Sequence, residues 1–99
     1  MRSLGNLRGH FHNLPVDINN FGHIVGESGD PHFNERRAFL YADGVIRDLN
    51  DLIPRRSGWF LVEANGINDR GEIVGRGIHR NRPKAFILKP IHPFQIGPR

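Results

Sequence analysis

The sequence contains no cysteine and no long apolar segment, and each absence excludes a class of protein. Without cysteine there is no disulfide framework and no thiolate chemistry. No run of about 18 apolar residues is present, so the sequence predicts no membrane-spanning helix. Residues 1–10 lack the apolar core of a signal peptide, so we expect no such peptide in this chain.

Acidic residues are missing from the C-terminal quarter of the chain. Residues 76–99 hold six Lys or Arg and no acid, whereas residues 1–75 hold eight basic and ten acidic residues. The formal net charge of +4 therefore comes from this end. Such a cluster predicts binding to nucleic acid or another polyanion through counterion release. The simpler alternative is a solvated basic face, because only Phe86 and Phe94 accompany the cations. The candidate polyanion-binding residues are Arg76, Arg80, Arg82, Lys84 and Lys89.

The remaining composition favours a small all-β domain. A chain of 99 residues forms one domain with a modest core. The 12 glycines and 7 prolines interrupt every stretch long enough for a helix, and no 3.6-residue apolar period survives them. We therefore predict antiparallel strands joined by tight turns.

A nine-residue motif occurs twice. Ile18–Gly26 and Ile67–Gly75 are identical at six of nine positions. Each copy places an Asn pair or an Asn-Asp pair ahead of a Gly, with apolar residues on both sides, which is typical of a β-hairpin turn. The Gly is expected to have a positive φ. The turn residues are Asn19 and Gly22 in the first copy, and Asn68 and Gly71 in the second.

A second pair of matching segments gives the period of the repeat. Arg37-Ala38-Phe39-Leu40 corresponds to Lys84-Ala85-Phe86-Ile87. A period near 50 residues predicts four-stranded antiparallel units of the propeller type. We predict one domain over residues 1–99, with repeat 1 at about 15–50, repeat 2 at about 59–90 and residues 1–7 as a spare strand. The expected core residues are Ile18, Ile24, Phe39, Leu49, Trp59, Ile67, Ile73 and Phe86.

The motif I-N-[ND]-x-G-x-[IV]-V-G, followed by an A-F-[LI] strand and a hairpin to Asp-Leu, resembles the HAF repeats of bacterial proteins. The resemblance covers roughly Leu4 to Pro90. It implies tandem, propeller-like units and an extracellular location, since many of those proteins are predicted to be extracellular. Arg37 and Lys84 stand where the family has His, so a role of that His does not carry over.

Candidate catalytic and metal sites are weak. His10 and His12 form an H-x-H pair with ligand-like spacing on a strand, but no third ligand is evident. Asp17–Gly22 departs from the calcium-loop pattern, because Phe21 takes a ligand position and no Glu closes the loop. Gly26–Gly29 is not a nucleophile elbow. Glu27, Glu63 and Glu72 show no evident pairing. We expect no enzyme activity, no cofactor and no metal.

The sequence therefore predicts a non-catalytic β-repeat module that serves as a scaffold or protein-interaction surface, either alone or as part of a longer repeat protein. Polyanion or nucleic-acid binding is the alternative. We expect a protein partner or self-association, by strand exchange or head to tail. Arg2-Ser3-Leu4 matches Arg47-Asp48-Leu49, so the N-terminal strand is expected to pair beside Lys84–Lys89.

Overall fold

The computed structural model describes Gly5 and residues 12–30, 35–92 and 95–96. Most of these residues belong to antiparallel strands, and no α-helix occurs among them. The prediction of an all-β fold is therefore confirmed. Two main sheets follow one another along the chain, with strand orders β1-β2-β3-β4 and β5-β6-β7.

The first sheet is a four-stranded meander, as predicted. Its strands are β1 (His12–Ile18), β2 (Ile24–Gly29), β3 (Arg36–Ala42) and β4 (Val45–Asp48). The link between β3 and β4 is the pair Asp43 and Gly44, with φ of 55° and 81°. Two positive φ values are typical of a type I′ hairpin, which the Asp-Gly dipeptide favours. A 3₁₀ helix, Leu49–Leu52, then leads toward the second sheet.

The second sheet has three strands in the described part of the chain. They are β5 (Trp59–Ile67), β6 (Ile73–His79) and β7 (Arg82–Leu88). A small separate ribbon follows, formed by β8 (Pro90–His92) and β9 (Gln95–Ile96). The expected four-stranded unit is thus present in the first half. In the second half, no other described strand pairs with the outer edge of β7, so β4 has no counterpart there.

The two sheets agree in register as well as in sequence. In each sheet the strand before the turn carries a bulge, opposite Gly26 in β2 and Gly75 in β6. A Cβ on Gly26 would lie 2.0 Å from the carbonyl oxygen of Leu14, and one on Gly75 would lie 2.1 Å from that of Glu63. Only glycine allows the bulged strand to approach so closely.

The core lies between the two sheets and under the 3₁₀ helix. Five predicted core residues are buried: Phe39, Leu49, Ile67, Ile73 and Phe86. Ile24 and Trp59 are half-buried. The prediction for Ile18 is wrong, because its side chain is 59% exposed. Its counterpart Ile67 packs against the neighbouring sheet.

Candidate functional site

The junction between the two sheets is built by β5, which lies against β1, β2 and β3. Val25 pairs with Leu40 across β2 and β3, so the two side chains share one side of the first sheet. Ala38 lies on that side as well, two residues from Leu40. All three are buried in one cluster with residues of β5. The β5 members of the cluster are Leu61, Ala64 and Ile67.

The two hairpin turns have the predicted geometry. Gly22 and Gly71 have φ of 79° and 80°, which confirms the expected positive values. The side-chain oxygen of Asn19 accepts backbone hydrogen bonds from Phe21 and His23. The side-chain oxygen of Asn68 accepts backbone hydrogen bonds from Arg70 and Glu72, which correspond to Phe21 and His23 in the first copy. Each Asn therefore organises its own turn, as Asn does in tight turns.

The turns also bind each other. Asn19 Nδ2 donates to the Asn68 carbonyl oxygen at 3.0 Å. The backbone N–H of Asn20 donates to Asp69 Oδ1 at 2.8 Å, and its side-chain amide donates to Asp69 Oδ2 at 2.6 Å. Matching positions of the two repeats, 49 residues apart, are thus joined directly.

One further polar contact fixes the junction. Asp17 Oδ2 accepts a hydrogen bond from the backbone N–H of Ile67 at 2.9 Å. Gly66 occupies the position in β5 that Asp17 occupies in β1, and the Asp17 carboxylate lies 3.7 Å from where a Gly66 Cβ would be. The absence of a side chain at Gly66 leaves room for this carboxylate.

Glu27 and Glu63 interact at the same junction, a pairing that the sequence analysis did not predict. Burial raises the pKa of Glu27, the nearby Arg36 guanidinium lowers it, and Glu63 on β5 raises it again by charge and by a hydrogen bond. Arg36 Nη1 lies 3.8 Å from Glu27 Oε2. The residues meet because β2 and β5 come together in space, which spacing along the chain does not reveal.

The outer edge of β7 borders an apolar groove of about 720 Å³, which we call the edge groove. In the first sheet the corresponding edge of β3 is paired with β4 over residues 39–42. Within the described ranges, no strand pairs with this edge of β7. The groove is lined by residues of β7 and by the segment that leads into β5: Ile53, Pro54, Ser57, Trp59, Leu61, Ala85, Phe86, Ile87, Leu88 and Lys89.

The five basic residues are all exposed, but they do not share one side of the sheet. Arg76 pairs with Ala85, and Lys84 pairs with Gly77, so Arg76 and Lys84 project from opposite sides. Arg82 lies on the same side as Lys84. Arg76 also lies 3.6 Å from Glu63 in an ion pair.

Arg37 is engaged in structural contacts. Its guanidinium donates to Asp48 at 2.7 Å and to Glu35. It also lies 5.2 Å from the centroid of the Phe60 ring. Asp48 in turn accepts from the backbone of Asn50 at the start of the 3₁₀ helix. Arg37 therefore holds β3, β4 and the connection to β5 together.

The described residues provide no metal-ligating cluster of three or more side chains. His12 is exposed on β1, and His10 lies outside the described residues. Among the described helical segments, none is long and apolar enough to cross a membrane. Comparison with family models, curated proteins and solved structures finds no match.

Proposed function

We propose that this chain is a non-catalytic β-repeat module that acts as a protein-interaction scaffold, with the edge groove as its binding surface. The observation that carries the proposal is the edge of β7, which has no strand partner in the described part of the chain. An open edge offers a row of N–H and C=O groups to an incoming strand. Adjacent apolar pockets then select its side chains, as in β-strand addition.

The same proposal treats the two sheets as successive units of a propeller-like array, which the resemblance to HAF repeats implies. Its support is the recurrence of the bulge, the Asn turn and the positive-φ Gly at matching positions. In such an array every unit requires a fourth strand. The first unit has β4, and the second requires one from elsewhere.

The segment that fits the edge groove is Arg2–Leu7 of this sequence, supplied by a second copy. Its Arg, Leu and Leu have the spacing of Arg47–Leu52, where Leu49 is fully buried. Leu4 would take the place of that leucine beside β7. Within this segment the structure describes Gly5 alone, and the other residues lie outside the described ranges. The carbonyl oxygen of Gly5 accepts a hydrogen bond from the side-chain amide of Asn13 on β1 of the same chain.

A peptide titration tests this assignment, because Trp59 is the single tryptophan and lines the groove. The probe is a peptide with the sequence of residues 1–8, added to the full chain carrying Leu4→Asp, which disables the chain's own segment. We expect saturable changes in Trp59 fluorescence. A peptide with Leu4→Asp and Leu7→Asp should produce none, and Pro54→Asp in the exposed groove wall should weaken binding. Equal responses to both peptides would overturn the proposal.

Polyanion binding is the second candidate, and its support is the position of three cations near the β6–β7 hairpin. Arg80 lies in the turn, while Arg82 and Lys84 follow on one side of β7. Binding to a DNA duplex or heparin should then weaken steeply as salt rises. Arg82→Glu with Lys84→Glu should abolish it, whereas Arg76→Glu on the opposite side should change it little. Binding that is insensitive to salt would contradict this candidate.

A further inference from the structure

We propose that two copies of this chain stack head to tail, with the β1–β2 side of the first sheet in one copy covering the outward side of β6 and β7 in another. This contact differs from strand addition in the edge groove, because it uses a sheet face instead of a strand edge, although Ala85 and Ile87 belong to both surfaces. It repeats between molecules the junction that already joins the two sheets within one molecule.

The accepting side is identified by comparing matching residues. Val25, Ala38 and Leu40 are buried at the internal junction, at 0%, 0% and 5% exposure. Their counterparts in the second sheet lie together on one side, because Val74 pairs with Ile87 and Ala85 is two residues from Ile87. The counterparts are exposed: Val74 is 44% exposed, Ile87 is 64% exposed, and Ala85 is exposed as well.

The covering side is identified in the same way. Ile67 pairs with Ile73 in the second sheet, and these two residues are 8% and 0% exposed at the junction. Their counterparts Ile18 and Ile24 also pair with each other, at the start of the first sheet. Ile18 is 59% exposed and Ile24 is half-buried. The chain therefore exposes residues that match both sides of its own internal junction, Ile18 and Ile24 on the first sheet and Val74, Ala85 and Ile87 on the second.

The turns meet in the same docking, but their polar contacts recur only in part. Within the chain, Asn19 and Asn20 donate to Asn68 and Asp69. In the stacked pair, Asn68 and Asp69 of one copy take the places of Asn19 and Asn20, and the Asn68 side-chain amide already donates to Glu72. The Asp17 contact is lost as well, because Gly66 at the matching position has no carboxylate. The contact between copies is therefore weaker than the internal junction.

The two sides differ, so the contact is heterologous and leaves one free side on each end of a dimer. Two variants separate the halves. Ile87→Asp places a carboxylate on the accepting side, and Ile18→Asp places one on the covering side. Both residues are exposed in one copy, so the fold tolerates them, but stacking would bury the carboxylate without a partner. Val45→Asp, at a residue 47% exposed on β4, is the matched control.

Sedimentation velocity on the full chain over a concentration series tests the proposal. We expect the unmodified chain and Val45→Asp to associate, and each single variant to lose at least about tenfold in association constant, which corresponds to about 1.4 kcal/mol. An equimolar mixture of Ile18→Asp and Ile87→Asp should form a 1:1 dimer and nothing larger, because each retains the half that the other lacks. A mixture that stays monomeric, or single variants that associate as the unmodified chain does, would overturn it.

Two cross-checks keep this result distinct from peptide binding in the edge groove. Val74→Asp lies outside the groove, so it should abolish stacking and leave peptide binding intact. Pro54→Asp should do the reverse. If Val74→Asp leaves stacking unchanged while Pro54→Asp abolishes it, association occurs by strand exchange and the proposed stacking is wrong.

Discussion

At the scale of single residues, the Asn19 side chain forms hydrogen bonds both within its own turn and with the second turn. The Asn19 side-chain oxygen accepts two backbone hydrogen bonds within its own turn, and its amide nitrogen reaches the Asn68 carbonyl of the other turn. Asn68 uses its amide nitrogen differently and donates to Glu72 at 2.7 Å. The first turn therefore contributes the donors of the junction, and the second contributes the acceptors at Asn68 and Asp69.

The glycines of these turns give the first prediction. Gly71→Ala should lower the free energy of unfolding by about 1 kcal/mol or more, because a Cβ is penalised at φ near 80°. An added Cβ would also lie 3.3 Å from Pro90 Cγ. Gly22→Ala has no atom within 4 Å of the added Cβ, so it isolates the conformational cost. Urea denaturation measures both, and two neutral substitutions would contradict the role of the turn.

Glu27 gives a prediction about pH. Its folded-state pKa is raised above 4.5, chiefly by burial, so the folded state holds its proton more tightly than the unfolded state. The resulting stabilisation is fully present below the unfolded pKa and is lost as pH rises through the raised value. Glu27→Gln should therefore remove a decline in stability above about pH 4.5. Urea unfolding across this range measures it, and Asp51→Asn, at an exposed carboxylate, should leave the decline unchanged.

At the scale of elements, the 3₁₀ helix is part of the connection between the two sheets and is hydrogen-bonded to β5. Asn50 donates to the Leu61 carbonyl oxygen at 3.0 Å and accepts from the Leu61 N–H at 2.7 Å. One side chain thereby pairs with β5 as a neighbouring strand would. Leu49 beside it is fully buried. The short helix explains how the chain leaves the first sheet and still satisfies the backbone of β5.

Removing this contact should weaken the junction measurably. Asn50→Ala leaves the Leu61 N–H and carbonyl groups without their side-chain partner, so we expect a loss of about 1–3 kcal/mol in unfolding free energy. Asn50→Asp retains the acceptor but sets a carboxylate oxygen against the Leu61 carbonyl oxygen and the Asp48 carboxylate, so at neutral pH it should cost more than Ala. Thermal and urea unfolding of the two variants give the comparison. An Ala variant as stable as the unmodified chain would show that water replaces both bonds.

At the scale of the whole molecule, the two sheets pack against each other and leave apolar residues exposed at which further copies of the chain could bind. The first sheet exposes Ile18, and the second exposes Val74 and Ile87. The β7 edge adds a strand-pairing site in the described part of the chain. A contiguous exposed apolar patch is typical of an interaction site, and Val74 and Ile87 are paired neighbours in the second sheet.

The N-terminal segment is predicted to protect one of these surfaces. Deletion of Met1 to Asn6 removes Leu4 and should leave the edge of β7 open, so that aggregation increases or the thermal midpoint falls. Size-exclusion chromatography with light scattering and thermal unfolding measure both. Leu4→Asp in the full chain is the matched control for length, and it should reproduce the effect. A deletion variant as stable and monodisperse as the full chain would contradict the prediction.

The sequence alone determined the local structure. Both Asn turns and the positive φ of Gly22 and Gly71 follow from residues a few positions apart, because turn geometry depends on neighbours in the chain. The close approach at Gly26 and Gly75 also follows, since a Gly inside a strand indicates it. The placement of the basic residues on two opposite sides of the second sheet does not follow from the sequence, because it depends on the register between β6 and β7.

Only the tertiary structure decided which copies of the repeated residues are buried. Ile18 and Ile67 have the same neighbours in sequence and the same turn after them, yet one is 59% exposed and the other 8%. Val25 and Val74 differ in the opposite order, at 0% and 44%. Burial depends on whether another sheet packs against that side, and the order of two units leaves each with a different uncovered side. The same spatial arrangement brings Glu27 to Glu63 and places Trp59 in the edge groove.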